Sequence, residues 1–282
     1  MLGNQTVDRI HDVKRTARLL KKQQPMKHAT ALELAAKQSG YQSFRQAQNE
    51  SKTSRRIASA DGGSVSTRFS VTISQFWVDR GLGIRGKETL EIKLSRPLDT
   101  IASLNTLKKA RGLRKLVLFG PSRFEMEYAS PNQQQARESL YLADRTLTFM
   151  DATGLLPSSG DRHARPKGQW SVPGEDHARS WYDPVTRRYL LIDEPYQRSI
   201  YEKMPKRLEW LKEFGYVMKY PDWFGMYNPY MDADNGSRLY LITHGTKGVD
   251  LDKIVSRLNR LPQPIGKQPW AGVSMQPVPM HQ

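Results

Sequence analysis

Residues 68–95 read RFSVTISQFWVDRGLGIRGKETLEIKLS. Residues 68–78 have strand composition, and 88–95 alternate Leu90, Ile92 and Leu94, the period-two pattern of a half-buried strand. Between them, Gly81-Leu82-Gly83-Ile84-Arg85-Gly86 matches the dinucleotide-binding fingerprint letter for letter. That chemistry needs the last glycine to open a helix whose N-terminus faces a pyrophosphate. A strand follows instead, so the stretch reads as a hairpin connection.

Working outward, a helix is predicted over 98–110 with Leu98, Ile101, Leu104 and Leu107 inside. The segments KLVLF and RFEMEYA form a second strand pair around Gly120-Pro121. Pro131, after Ser130, suits a first helical position and opens a helix to about 150. Its inward face is Ala136, Leu140, Ala143, Leu147 and Met150. The order ββαββα predicts a sheet with helices on one face.

Downstream, ARSWYD and RRYLLID flank the turn sequence DPVT, a hairpin centred near Val185. A helix over 198–213 carries Met204, Leu208 and Leu211; SRLYLITHG is a strand; a last helix over 249–261 uses Leu251, Ile254, Val255 and Leu258. Upstream, three short helices are predicted. The first, 6–23, is capped by Thr6, buries Val7, Ile10, Val13, Ala17 and Leu20, and stops at Pro25. The second, 28–39, packs Ala31, Leu32, Ala35 and Ala36 inward, with Gly40 as its C-cap, and the third, 43–49, is anchored by Phe44 and Ala47. The fold class expected is α+β: a basic three-helix module (1–50), a flexible linker (51–66), two ββα-type halves with mixed or antiparallel sheets (67–157 and 158–262), and a Pro-rich irregular tail (263–282).

The 282 residues carry a formal charge of +16 and no cysteine. Disulfides, thiolate metal sites and cysteine nucleophiles are thereby excluded. The opening residues carry acids and lack an apolar core, so no secretory signal is expected, and no stretch has the composition of a membrane span. A cytoplasmic address without a membrane partner fits these features. The charge surplus favours a polyanion as partner. It is concentrated in residues 1–60, where twelve Lys and Arg face four acids. Lys14, Arg18, Lys21, Lys22, Lys27 and Arg45 are the candidate nucleic-acid contacts, DNA ahead of RNA.

The spacing Ala36-Lys37-Gln38-Ser39-Gly40 also fits the centre of a helix-turn-helix, which would aim Ser43, Arg45 and Gln46 at a groove. An ordinary three-helix module uses the same turn, and the third helix is short for a reader of base edges. The stretch VKRTARLLKKQQPMKHATALELAAKQSGYQSFRQAQ, with Ala17, Leu20, His28, Ala31-Leu32-Glu33, Ala36, Gly40-Tyr41 and Phe44, resembles a helical module at the N-terminus of glyoxalase-related bacterial proteins. The remainder, with DHARSWYDPVTRRYLLIDEPY, is similar to a bacterial family of unknown function. The resemblance implies an architecture and a bacterial origin, with no mechanism. A glyoxalase-type metal site would need ligands spread over repeated βαβββ units, which this chain does not show, so no metal and no cofactor are expected.

Two further clusters remain. Asp176-His177 and Asp193-Glu194 flank the 176–194 hairpin, with His163 and His244 elsewhere in this half. Pairing around Val185 brings His177 near Glu194, and an imidazole beside carboxylates can do acid–base work, making His177, Asp193 and Glu194 the catalytic candidates. The alternative is a hydrogen-bonded hairpin base. Trp210, Tyr216, Tyr220, Trp223, Phe224, Tyr227 and Tyr230 lie among Lys203, Lys206, Arg207, Lys212 and Lys219. Such a mixture stacks bases, forms an exposed patch for a protein partner, or lines a core. The leading expectation is a nucleic-acid-associated accessory protein that grips the phosphate backbone, of the kind plasmids and mobile elements carry. The alternatives are an enzyme with a His/carboxylate site at the base of the 176–194 hairpin, or a protein–protein adaptor.

Overall fold

The computed structural model describes residues 13, 14, 16–18, 20, 21, 26–38, 41, 43–46, 69–120, 122–229, 236–264 and 269–280. They belong to two compact units, 1–66 and 67–282. In the first unit, residues 13–21 are helical where described, helix α1 spans His28–Gln38, and 44–46 are helical. Val13, Ala17, Ala31, Ala35 and Ala36 are fully buried, and Tyr41 closes this small core. Ser43 caps the last turn by accepting from the Gln46 amide at 3.1 Å, so it serves the backbone rather than a groove. Thr6, Val7, Ile10, Lys22, Pro25, Gly40, Ala47 and the 51–66 linker lie outside the described residues.

The second unit is α+β, with two sheets. Strands β1 (Phe69–Asp79) and β2 (Ile84–Leu94) form one antiparallel hairpin, paired from Phe69↔Leu94 to Asp79↔Ile84. The glycine-rich motif supplies its turn and the first residues of β2: Gly83 takes φ +65° in the turn, and Gly86 pairs with Trp77. Gly86 lies under Trp77, where a Cβ would come within 2.5 Å of the indole ring. The predicted helix over 98–110 is broken into α2 (Leu98–Ile101), α3 (Leu104–Leu107) and a 3-10 turn at Arg111–Leu113. Ala102 is extended and Ser103 recaps the chain, accepting from the Thr106 amide, so apolar spacing alone overstated this helix.

Strands β3 (Leu116–Gly120) and β4 (Arg123–Met126) complete the ββαββ order. β4 runs parallel to β1 and antiparallel to β3. Helix α4 (Gln133–Thr153) starts two residues later than Pro131 implied, because Asn132 supplies the cap to the Gln135 amide at 2.9 Å. It ends at Gly154 in the left-handed region. Leu140, Leu147, Phe149 and Met150 are fully buried. Burial of side chains of this size stabilises by about 1.5–3 kcal/mol each.

The second sheet has the order β5-β6-β7-β9-β8: β5 (Leu156–Pro157), β6 (Arg179–Tyr182), β7 (Tyr189–Asp193), β8 (Tyr216–Lys219) and β9 (Tyr240–His244). Between its hairpins lie α5 (Gln197–Tyr201) and α6 (Met204–Phe214); α7 (Leu251–Leu258) follows, capped by Asp250. Leu190 and Ile192 join the α4 core, while Leu191 packs with Ile242, Trp210 and Leu211 on the opposite face. This sheet is covered on both faces, which is why β7 reads as an unbroken apolar run rather than an alternation.

The halves 67–157 and 158–262 share one core, in which Phe149 of α4 meets Trp181 and Trp223 at 5.1 and 6.2 Å. The tail, expected to be irregular, is not wholly so. β10 (Val273–Ser274) and β11 (Val278–Pro279) pair antiparallel with β2 and cover its outer edge. Glu88 of β2, fully buried, accepts from Trp77, Gln133, Arg137 and Ser274. Burial alone would push its carboxyl up, but these four donors together hold its pKa below the usual carboxylate value.

Candidate functional site

The 176–194 hairpin pairs as the turn sequence predicted, Tyr182 opposite Tyr189 and Arg179 opposite Ile192. Beyond the last pair the strands stay joined, the Glu194 amide donating to the Asp176 carbonyl at 3.2 Å. Asp193, Glu194 and His177 are therefore neighbours, but their tasks differ.

Asp193 turns toward α6. Its Oδ2 accepts from Arg207 Nη2 at 2.6 Å, and its Oδ1 from the Asp176 amide at 2.9 Å. Burial pushes its pKa up to about 6 against the pull of Arg207. Glu194 turns the other way, into the core. Its Oε2 accepts from the Met226 and Tyr227 amides at 2.8 and 2.7 Å. Arg145 of α4 donates to the carbonyls of the same two residues, at 2.7 and 3.2 Å. The 226–227 peptide group is thereby held at its C=O by Arg145 and at its N–H by Glu194. Gly225 makes room for this: its φ is +112°, and a Cβ there would lie 2.5 Å from Glu194 Oε2. Burial raises the Glu194 pKa to about 7, opposed by those two amide bonds.

What the clamp positions is Tyr227. The His177 ring stacks on it with centroids 3.7 Å apart, and the Arg111 guanidinium lies 4.1 Å from its centroid while donating to its hydroxyl at 3.2 Å. His177 has φ 63°, a left-handed conformation uncommon outside glycine. Its Nδ1 lies 3.2 Å from the Glu194 carbonyl, which can only accept, so Nδ1 carries the hydrogen. Desolvation lowers the His177 pKa, against the pull of the Glu194 carbonyl and Asp176. His177 and Glu194 thus line a common cavity of about 40 Å³. The imidazole nevertheless contacts the backbone of residue 194, and the carboxylate is committed to the 226–227 backbone.

Outside this small cavity, and sharing His177, Arg111 and Arg179 with it, opens a cleft of about 900 Å³. Gly112 lets the 3-10 turn lie against α4, since a Cβ there would meet Thr146 Oγ1 at 2.7 Å, and this sets Arg111 and Arg114 on the cleft wall. Arg162, Arg165, His163 and Trp170 come from the segment after β5, and Arg179 from β6. Arg165 is held by Glu175 through a two-pronged pair at 3.0 and 2.9 Å. Arg111, Arg114, Arg162 and Arg179 are exposed, and among the described residues none is bonded to a carboxylate. Trp170 is 74% exposed, with the Arg162 guanidinium 4.9 Å from its ring. Sequence reasoning missed this cleft; the arginines at 111, 114, 162, 165 and 179 were its one signal.

No family model, curated protein or solved structure matches this chain. Its site must therefore be read from its own residues. In the N-terminal unit Lys14, Arg18, Lys21, Lys27 and Arg45 are all exposed, and among the described residues none is paired with an acid. Lys14, Arg18 and Lys21 follow at steps of four and three, one stripe of the helix, away from buried Val13 and Ala17. In the aromatic segment, Trp210, Trp223 and Met226 are buried and Tyr220 is half exposed beneath Arg238; Arg207, one of the cations named with them, is buried on Asp193. The segment mainly lines the core; Tyr230 lies outside the described residues. Among the described residues, no group of three His, Cys, Asp or Glu could hold a metal ion, and no helix is long and apolar enough to cross a membrane.

Proposed function

We propose that the protein is a nucleic-acid-associated protein that grips the phosphate backbone through its N-terminal helical unit, DNA ahead of RNA. The observation that carries this reading is the exposed, unpaired stripe Lys14–Arg18–Lys21, backed by the buried stripe that fixes which way it faces. Long cations along one helix face neutralise successive phosphates and release counterions, which gives affinity without base reading. Lys27 and Arg45 extend the contact set. Ser43, engaged as a cap, favours backbone binding over base-edge reading by the third helix.

The test is fluorescence anisotropy with a labelled duplex across about 50–200 mM salt. The full chain is expected to lose affinity steeply with salt. The triple variant Lys14→Glu, Arg18→Glu, Lys21→Glu should bind weakly and with a salt slope smaller by about three. Absence of duplex binding at low salt, or an unchanged slope in the triple variant, rejects the reading.

A further inference from the structure

We infer that the arginine-lined cleft of the 67–282 unit, built from residues of that unit alone, is a binding site for single-stranded nucleic acid. The inference rests on the nucleic-acid reading above for its choice of polyanion, and not on the stripe itself.

Charge is the first support. Arg111, Arg114, Arg162 and Arg179 line one concavity, exposed and without carboxylate partners among the described residues. Two acids share the wall, Glu175 paired with Arg165 and Asp176 beside His177 at 3.3 Å, against the five arginines 111, 114, 162, 165 and 179. The wall therefore keeps a positive surplus, and a concave surface of one sign concentrates counter-charge.

The exposed indole decides between strand and duplex. Trp170 leaves most of its surface in water, more than any other tryptophan among the described residues, although burying it would be favourable. A ring with a guanidinium beside it and a cation-lined trough around it is the arrangement that stacks an unpaired base and holds the adjoining phosphates. In a duplex the base faces are already stacked on one another and cannot reach such a ring. The cleft, at about 900 Å³, is of the size of a site for a small ligand or a few nucleotides. Stacking on the indole and contacts to phosphate do not depend on base identity, so binding is expected to be tolerant of sequence.

The experiment uses the full chain, a labelled oligothymidylate and a labelled duplex. Trp170→Ala and the pair Arg162→Ala with Arg179→Ala alter exposed positions and leave the core intact. Each is expected to weaken oligothymidylate binding roughly tenfold and to leave duplex binding unchanged. Only the arginine pair should also flatten the salt dependence. Quenching of tryptophan fluorescence by the strand should be lost in Trp170→Ala. Wild-type affinity in both cleft variants, or equal loss on strand and duplex, overturns the assignment. The stripe variant distinguishes the two proposals. If it loses duplex binding while cleft variants bind the strand normally, the stripe reading stands and the cleft falls. If it binds duplex normally while cleft variants lose the strand, the reverse holds.

Discussion

Arg207 Nη2 lies 2.6 Å from Asp193 Oδ2, and both side chains are wholly excluded from solvent. The pair ties α6 to the end of β7, with Arg207 Nε also donating to the Pro173 carbonyl at 2.9 Å. Breaking a buried pair leaves an uncompensated charge. Arg207→Met is expected to cost about 3–5 kcal/mol in urea unfolding, and adding Asp193→Leu should recover much of it. An Arg207→Met cost below about 1 kcal/mol would show that the pair is not closed in solution.

The buried carboxylates set a pH dependence of stability. Folded Glu194 keeps its proton to about 7 and the unfolded side chain releases it near 4.5. Asp193 and Asp144 behave alike, rising from 3.8 to about 6. Within those windows the folded chain binds more protons, so stability falls as pH rises. Glu88, with its lowered pKa, acts oppositely, and its contribution disappears only as pH falls below the ordinary carboxylate range. Tm at about pH 5 should exceed Tm at about pH 8. Glu194→Gln should flatten that change by up to about 3 kcal/mol, and an unaltered profile in the variant counts against a buried, protonatable Glu194.

Gly225→Ala should be destabilising beyond its size. The backbone at φ +112° costs about 1–3 kcal/mol for a residue with a Cβ, and the methyl would displace Glu194 from the 226–227 amides. Chemical-shift changes at Met226 and Tyr227, with a lowered Tm, are the expected signature. A Gly225→Ala protein as stable as the parent would rule out the clamp.

Glu88→Ala removes the acceptor of four donors. Trp77 Nε1, 3.2 Å from the lost oxygen, is left buried without its acceptor, and Gln133 Nε2, 2.8 Å from it, is left half-buried. Unpaired buried donors cost about 1–3 kcal/mol each, so the loss should exceed that of Ser274→Ala, which removes one rim donor. Comparable costs for the two variants would contradict this ranking.

Both long hairpins were legible in the sequence, because alternation and turn chemistry are local. So were the inward faces of α4 and α7, whose apolar spacing no competing contact overrides. The β10 and β11 strands were not legible: each is two residues long, one contains proline, and β2 rather than their own sequence dictates their conformation. At the hairpin base, the nearness of His177 to Glu194 followed from register. The destination of the Glu194 side chain did not, since its partners lie 32 and 33 positions away on a loop that only the folded core places. The cleft escaped for the same reason: Arg111, Arg162, Trp170 and Arg179 share a wall without sharing any periodicity.

The pairing of β10 and β11 with β2 has a bearing on biosynthesis. Ser274 reaches Glu88 across 186 positions, so during translation the β1–β2 hairpin leaves the ribosome long before the strands that cover its outer border. Until they arrive, that border offers unpaired amides and carbonyls to any extended neighbour. The nascent chain should therefore be most prone to self-association late in elongation, and shortening it ahead of Trp270 should trap that vulnerable stage.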